Sequence, residues 1–295
     1  MKKPILMLLA ITCLMACSEE STNSYSPGAE ENQVNYNLSR YSNDVSLFAG
    51  TWNHDKDFIM NSDNLIEEIE INSVVYNKNI EIIRDANNNI INTKEYSAGN
   101  LILENTVSYN SSGQIAQVTQ EDFQSSQNFD YIFTYNGNQV IKSDSYSNYT
   151  TVYTFNDNNQ LISAEEFVGD EAFKLEELEY DAQGNLISTT LSGDPLSIIA
   201  QETHFIYDSS INPLVKPFHI HDYYDIFINP PAEQLGVYIA TYGSPNNWIE
   251  ANGDHINYDI EVVFDSSNRI ISRFGTISSA DVSGLELEES FNYVD

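Results

Sequence analysis

His219-Ile220-His221-Asp222 is the tightest group of metal-ligating side chains in the sequence. On an extended strand His219 and His221 project to one face, as two zinc-ligating imidazoles must, with Asp222 or Asp225 close enough to add an oxygen. The plain reading is a pair of solvated imidazoles, because Pro213, Pro217, Pro230 and Pro231 break up this region. Asp85-Ala86-Asn87-Asn88-Asn89 opens like a calcium loop, but Ile90 and Tyr96 stand where such a loop has its Gly and its bidentate Glu. Turn chemistry accounts for it better. Glu165-Glu166 and Glu176-Glu177 cannot form a glycosidase pair as neighbours, since adjacent strand residues face opposite sides. Gly-x-Ser-x-Gly, His-Glu-x-x-His and phosphate-loop patterns are missing from the sequence. No cofactor is called for, and the chain is expected not to be an enzyme.

Composition narrows the partners. The 295 residues carry 12 Lys+Arg against 44 Asp+Glu, a net charge of -32. Nucleic acid and anionic headgroups need clustered cations, so neither is an expected partner. With 41% hydrophobic and 12% aromatic residues the chain can bury a large core. Two cysteines exclude a disulfide framework and a Cys-based zinc site.

The N-terminus reads as an address. Lys2 and Lys3 precede an apolar run from Ile5 to Met15, too short for a spanning helix. Leu14-Met15-Ala16-Cys17 resembles the lipobox of bacterial lipoproteins. That resemblance implies cleavage after residue 16 and acylation of Cys17, hence an outer-membrane lipid as partner. Ser18-Glu19-Glu20 is similar to the acidic export signal of Bacteroidota surface lipoproteins, which favours the cell surface over a periplasm-facing location. The expected organisation is a signal peptide over 1–16, a lipidated Cys17 with flexible tether over 17–45, and one β domain over 46–295. A loop-rich insertion is expected near 211–245.

The domain is built from a repeat. An aromatic or apolar residue, an Asn or Asp, a few small polar residues and two apolar residues recur, as in Tyr109-Asn110-Ser111-Ser112-Gly113-Gln114-Ile115 and Tyr180-Asp181-Ala182-Gln183-Gly184-Asn185-Leu186-Ile187. The Asx markers at 61, 85, 110, 136, 156, 181 and 208 are spaced by 24, 25, 26, 20, 25 and 27 residues. Asn, Asp and Gly tolerate positive φ, so each marker reverses the chain, and the runs between are rich in β-branched and aromatic residues. A second, variable turn falls midway, at Ser97-Ala98-Gly99-Asn100 or Val168-Gly169-Asp170. Two strands per repeat give roughly 14 to 16 strands in an all-β, antiparallel up-and-down meander. The expected form is a soluble, curved or partly closed sheet.

Tyr180-Asp181 with Gly184 resembles the YD repeat, and Asn212-Pro213-Leu214 followed by Ser244-Pro245-Asn246-Asn247 is similar to the C-terminal half of Bacteroidota surface lipoproteins with a porin-like β fold. The resemblance covers roughly residues 57 to 295 and implies a curved antiparallel sheet; that family is a domain of unknown function and supplies no functional residues. A pore is not expected, because strands such as Leu65-Ile66-Glu67-Glu68-Ile69-Glu70-Ile71 hold too many carboxylates for a lipid face. Gly50-Thr51-Trp52 resembles the Gly-x-Trp strand of lipocalins. The reading is a non-catalytic binding or scaffold module for a glycan or surface protein. Trp52, Trp248, Tyr131 and Tyr153 are its candidate contact residues, since flat aromatic faces suit such ligands. A lipocalin-like carrier of a small apolar ligand and a metal-dependent hydrolase using His219 and His221 are the alternatives.

Overall fold

The computed structural model describes residues 36–47, 52–193, 200–218, 224–228, 235–254, 256–279 and 283–294. Eighteen strands follow one another: β1 (Leu38–Leu47), β2 (Trp52–Met60), β3 (Ile66–Ser73), β4 (Asn77–Arg84), β5 (Ile90–Ser97), β6 (Asn100–Tyr109), β7 (Ile115–Asp122), β8 (Gln127–Asn136) and β9 (Gln139–Asp144). Then come β10 (Tyr149–Phe155), β11 (Leu161–Val168), β12 (Glu171–Tyr180), β13 (Leu186–Ser192), β14 (Gln201–Ile211), β15 (Asn246–Gly253), β16 (Ile256–Phe264), β17 (Ile270–Ser279) and β18 (Ser283–Tyr293). Among the described residues, three short helices interrupt the meander between β14 and β15: α1 (Val215–Phe218), α2 (Tyr224–Ile228) and α3 (Leu235–Tyr242).

Each strand pairs antiparallel with the next, and β1 also pairs with β18, from Leu38 against Tyr293 to Leu47 against Leu285. The sheet is therefore a closed barrel, which corrects the expected curved or partly closed sheet of 14 to 16 strands. The closing strand, β1, lies almost wholly in the stretch assigned to the tether. Its inward residues Leu38, Tyr41 and Val45 are separated by polar outward ones, and a bulge between Leu38 and Arg40 breaks their alternation. Closure removes both unpaired edges.

The hairpins alternate between the two ends of the barrel, so every marker turn falls on one rim, here the signature rim, with the start of β1 and the end of β18. The variable turns form the other. At the signature rim one geometry repeats. In the turn after β12, Asp181 Oδ1 accepts from the Gln183 and Asn185 amides at 2.9 and 2.8 Å, and Gly184 takes φ 93°. Asn64, Asn88, Gly113, Asn159 and Asn268 hold the same place at φ 61, 67, 77, 60 and 61°. This is a type I turn closed by a left-handed residue, after which the ladder shifts register. The marker tyrosine stitches successive repeats. The Tyr109, Tyr135, Tyr180, Tyr207 and Tyr293 hydroxyls donate to the carbonyls of Ile90, Ile115, Leu161, Leu186 and Ile270, at 2.7, 2.9, 2.7, 2.7 and 2.8 Å.

A barrel of this strand number leaves a lumen too wide for its own side chains to fill. The insertion fills it. Phe218 packs on Tyr41, Tyr224 hydrogen-bonds Thr93 at 3.1 Å, Phe227 stacks on Phe133, and Leu235 and Ile239 join the same core as Trp248 and Leu287. These contacts come from strands all round the ring. The two motifs of the family resemblance fasten the ends of this plug: the Asn212 side chain donates to the Thr241 and Ser244 carbonyls at 2.8 and 2.9 Å, and Asn246 and Asn185 bond each other.

Candidate functional site

The inner wall carries charges at two levels. Under the signature rim, Arg273 of β17 and Glu289 of β18 form a bidentate pair, with both contacts 2.7 Å and both side chains 1% exposed. Asn247 accepts from Arg273 at 2.7 Å, and Tyr41 donates to Glu289. Burial opposes the Arg273 charge, yet the attraction of Glu289 holds its pKa above the ordinary value. Burial likewise pushes the Tyr41 hydroxyl well up, so the phenol stays protonated and can donate. Every polar atom of this pair has a partner on β1, β15, β17 or β18, which makes it a structural joint within the wall.

Nearer the variable rim the wall charges hold helix ends. Glu176 of β12, 3% exposed, accepts from the Gly236 amide at 2.8 Å at the start of α3 and from Thr189 at 3.0 Å. Burial raises its pKa despite these donors. At the other pole, Lys142 of β9 donates to the Phe227 carbonyl near the end of α2 and lies 4.6 Å from the Tyr131 ring centre. Burial pulls its pKa down to about 8. An anion at a helix start and a cation at a helix end both complement the helix dipole. Between α2 and α3, Tyr238 donates to Asp225 at 3.0 Å, and burial raises the Asp225 carboxyl.

Above these helix ends, β10, β11 and β12 leave a small recess of about 30 Å³, room for a water or two. Thr151, Tyr153, Ala164, Glu166, Lys174 and Glu176 line its walls, and Ile226 and Leu235 its floor. Lys174 Nζ sits 3.2 Å from Glu166 Oε1, with side-chain exposures of 20% and 31%. Cross-strand register places Thr151 opposite Glu166 and Glu166 opposite Lys174 in one inward row.

The candidate aromatic residues fall in different places. Trp248 is 2% exposed, donates its indole N–H to Thr241 at 3.1 Å, and belongs to the core. Tyr153 is 3% exposed, with its hydroxyl 3.3 Å from the Ile226 carbonyl and its ring against Phe227. Tyr131 is half-buried on the inner wall beside Lys142. Trp52 opens β2, and its side chain lies outside the described residues, as do Cys17, His219, His221 and Asp222. Among the described residues no three His, Cys, Asp or Glu side chains are grouped to hold a metal. The Asp85 carboxylate is taken up by its turn, accepting from the Asn87 and Asn89 amides and the Asn89 side chain at 2.8, 3.0 and 3.1 Å. Glu166 and Glu176 face inward while Glu165 and Glu177 lie on the outer side, opposite Leu175 and Ser163. Sequence reasoning missed the Arg273–Glu289 joint, Lys142 and the Glu166–Lys174 pair. The only signal was strand parity, which the bulges at Phe167 and Tyr180 interrupt.

No known protein family and no curated protein matches the sequence. Among solved structures, a porin-like protein from Bacteroides uniformis is similar, with a TM-score of 0.48 and 12% identity, over 87% of this chain and 98% of that one. A porin-like protein from Bacteroides vulgatus gives a TM-score of 0.33 and 9% identity over the same shares of the two chains. These likenesses assign no activity.

Proposed function

We propose that the chain is a lipoprotein of the YD-repeat kind, anchored to the outer membrane through acylated Cys17, whose barrel stands in the aqueous phase at the cell surface as a non-catalytic binding module. The polarity of the barrel wall carries this reading. A spanning barrel needs a charge-free outward band about 25 Å tall and tolerates a polar interior. Here the outward rows hold Asp55 and Asp57 of β2, Glu68 and Glu70 of β3, Glu81 of β4, Lys94 of β5 and Glu288 of β18, while the inward rows are mainly apolar, with their few charges paired or bonded to helix ends, and pack on the plug. Arg40 reaches across two strands to Asp57 and Glu70, an ion-pair network that belongs in water. With the lumen occupied by helices, the wall supports a scaffold that presents its rims better than a carrier of apolar cargo.

The test is Cys17→Ala in the full-length protein. The expected result is release from the membrane fraction with the thermal melt of the barrel intact. Retention of the variant in membranes through a carbonate wash would mean that the barrel itself inserts, and would overturn the reading.

A further inference from the structure

One inward row crosses the closing seam of the barrel. Lys56 of β2 lies directly opposite Asn43 of β1, Asn43 opposite Glu289 of β18, and Glu289 opposite Arg273 of β17. Facing residues on neighbouring antiparallel strands have Cβ atoms about 4.5–5.5 Å apart, within the sweep of a lysine chain. The Asn43 amide nitrogen donates to Glu289 Oε1 at 3.4 Å and to the Tyr41 hydroxyl at 3.2 Å. Those bonds draw it toward β18, on the far side of Asn43 from Lys56. Apolar side chains close the row on both sides. Tyr41 lies 5.4 Å from the Phe58 ring and 5.1 Å from the Phe291 ring, and Val45 and Leu287 pack into the core.

We propose that Lys56 and Asn43 are joined by an isopeptide bond, which the folded barrel forms on itself with Glu289 as the proton carrier. The neutral Lys56 amine attacks Asn43 Cγ. In the resulting tetrahedral centre both nitrogens sit on Cγ, so a carboxylate bonded to one of them reaches the other. Glu289 takes a proton from Nζ and returns it to Nδ2, the Cγ–Nδ2 bond breaks, and ammonia leaves. The new Nζ–Cγ bond remains. Burial favours the neutral amine by lowering the Lys56 pKa, opposed only by the charge of Asp225 on α2. Arg273 holds Glu289 by two contacts of 2.7 Å, which fixes Oε1 beside the leaving nitrogen. Strand register supplies the rest, since reactants held face to face no longer pay for their encounter. The product ties the closing strand, which follows the tether, to its neighbour, so a pull on the tether passes into β2. That use, unlike the bond, rests on the reading of Cys17 as an anchor.

Trypsin digestion of the full-length protein, purified folded in detergent and denatured before cutting, tests the bond. An acylated lysine is not cut, so the peptide starting at Tyr41 should run through Lys56 to Lys78 and be lighter than its sequence by one ammonia. Lys56→Arg should restore both the cut and the full mass. Asn43→Ala, which leaves Lys56 and the Arg273–Glu289 pair in place, should restore the cut after Lys56. Glu289→Gln should lose most of the linked peptide. Cleavage after Lys56 at full mass in the parent would overturn the proposal. So would loss of ammonia with Lys56 still cut, because Asn43 would then have closed on its own backbone. Linkage at the parent level in Glu289→Gln would remove Glu289 as the proton carrier. Membrane release of Cys17→Ala is read separately and does not depend on this bond.

Discussion

The two ends of this barrel are made from the same strands yet obey different rules. At the signature rim, one turn repeats with the same Asx bonds, the same left-handed residue and, at five positions, the same tyrosine bond to the preceding repeat. The charge pair beneath it is dry and fully partnered. At the variable rim the turns differ in length and residue, Val74, Val75 and Tyr146 are 66%, 80% and 67% exposed, and the interior pair Glu166–Lys174 is open to water. Order at one end fixes register and seals the plug. Freedom at the other leaves a mouth whose residues can vary without moving the frame, the usual relation of loops to scaffold.

Removing one partner from each interior pair tests this contrast most strongly. Arg273→Met strands the Glu289 carboxylate at 1% exposure and should cost about 3–5 kcal/mol. Lys174→Met leaves Glu166 able to turn to solvent and should cost less than about 1 kcal/mol. Urea unfolding of the two variants measures the difference. Equal losses would mean that the ends are not energetically distinct. Adding Glu289→Leu to Arg273→Met should recover most of the loss, because the penalty is an unpaired buried charge.

A smaller effect probes the turns. Gly184 sits at φ 93°, and a Cβ there would come within 3.3 Å of Gln160 Nε2. Gly184→Val should destabilise by about 1–2 kcal/mol, since a β-branched residue resists the left-handed region. Gly184→Asn should cost less than half of that, because Asn already holds this place at 64, 88, 159 and 268. Thermal melts of both variants decide it, and indistinguishable melting of Val and Asn would mean that this turn does not share the rim geometry.

The rim turns were legible because their chemistry is local: an Asx side chain bonds amides two and four residues on, and the left-handed residue is Asn or Gly. The role of the tyrosine was not, since its acceptor lies about one repeat back on a neighbouring strand. Closure was hidden for a related reason. Ser39, Arg40, Ser42 and Asp44 make β1 read as tether, and only pairing with β18 reveals Leu38, Tyr41 and Val45 as core. Trp248 and Tyr153 read as surface because aromatic residues in an alternating strand look the same whether they face solvent or a plug; a lumen this wide needed them inside. Arg273 and Glu289 carry no mark in the sequence that separates them from the outward charges two or three residues away.

The smallest expected effect concerns the outer wall near the variable rim. Asp44 of β1 lies directly opposite Asp55 of β2 and Glu288 of β18, three carboxylates abreast. Partial burial, then repulsion from Asp55, Asp57 and Glu288, raises its pKa to about 6. Since an unfolded Asp titrates near ~3.9, the folded state holds its proton more tightly. Stability contributed by that proton is fully present below about pH 4 and is lost as pH rises from there through about 6. Asp44→Asn keeps the shape and removes the charge, so it should match the parent at pH 4 and exceed it at pH 7. With Asp44 only partly buried on the outer wall, solvent screening limits the gain to a few tenths of a kcal/mol, on the order of a degree in Tm. Added monovalent salt should narrow the gap by raising the parent, because the Debye length falls to ~8 Å at physiological strength. Melting curves at pH 4 and 7, at low and high salt, carry the test. A variant less stable than the parent at pH 7 would show that Asp44 is held by a favourable contact, and that strain at this end of the barrel is confined to its turns.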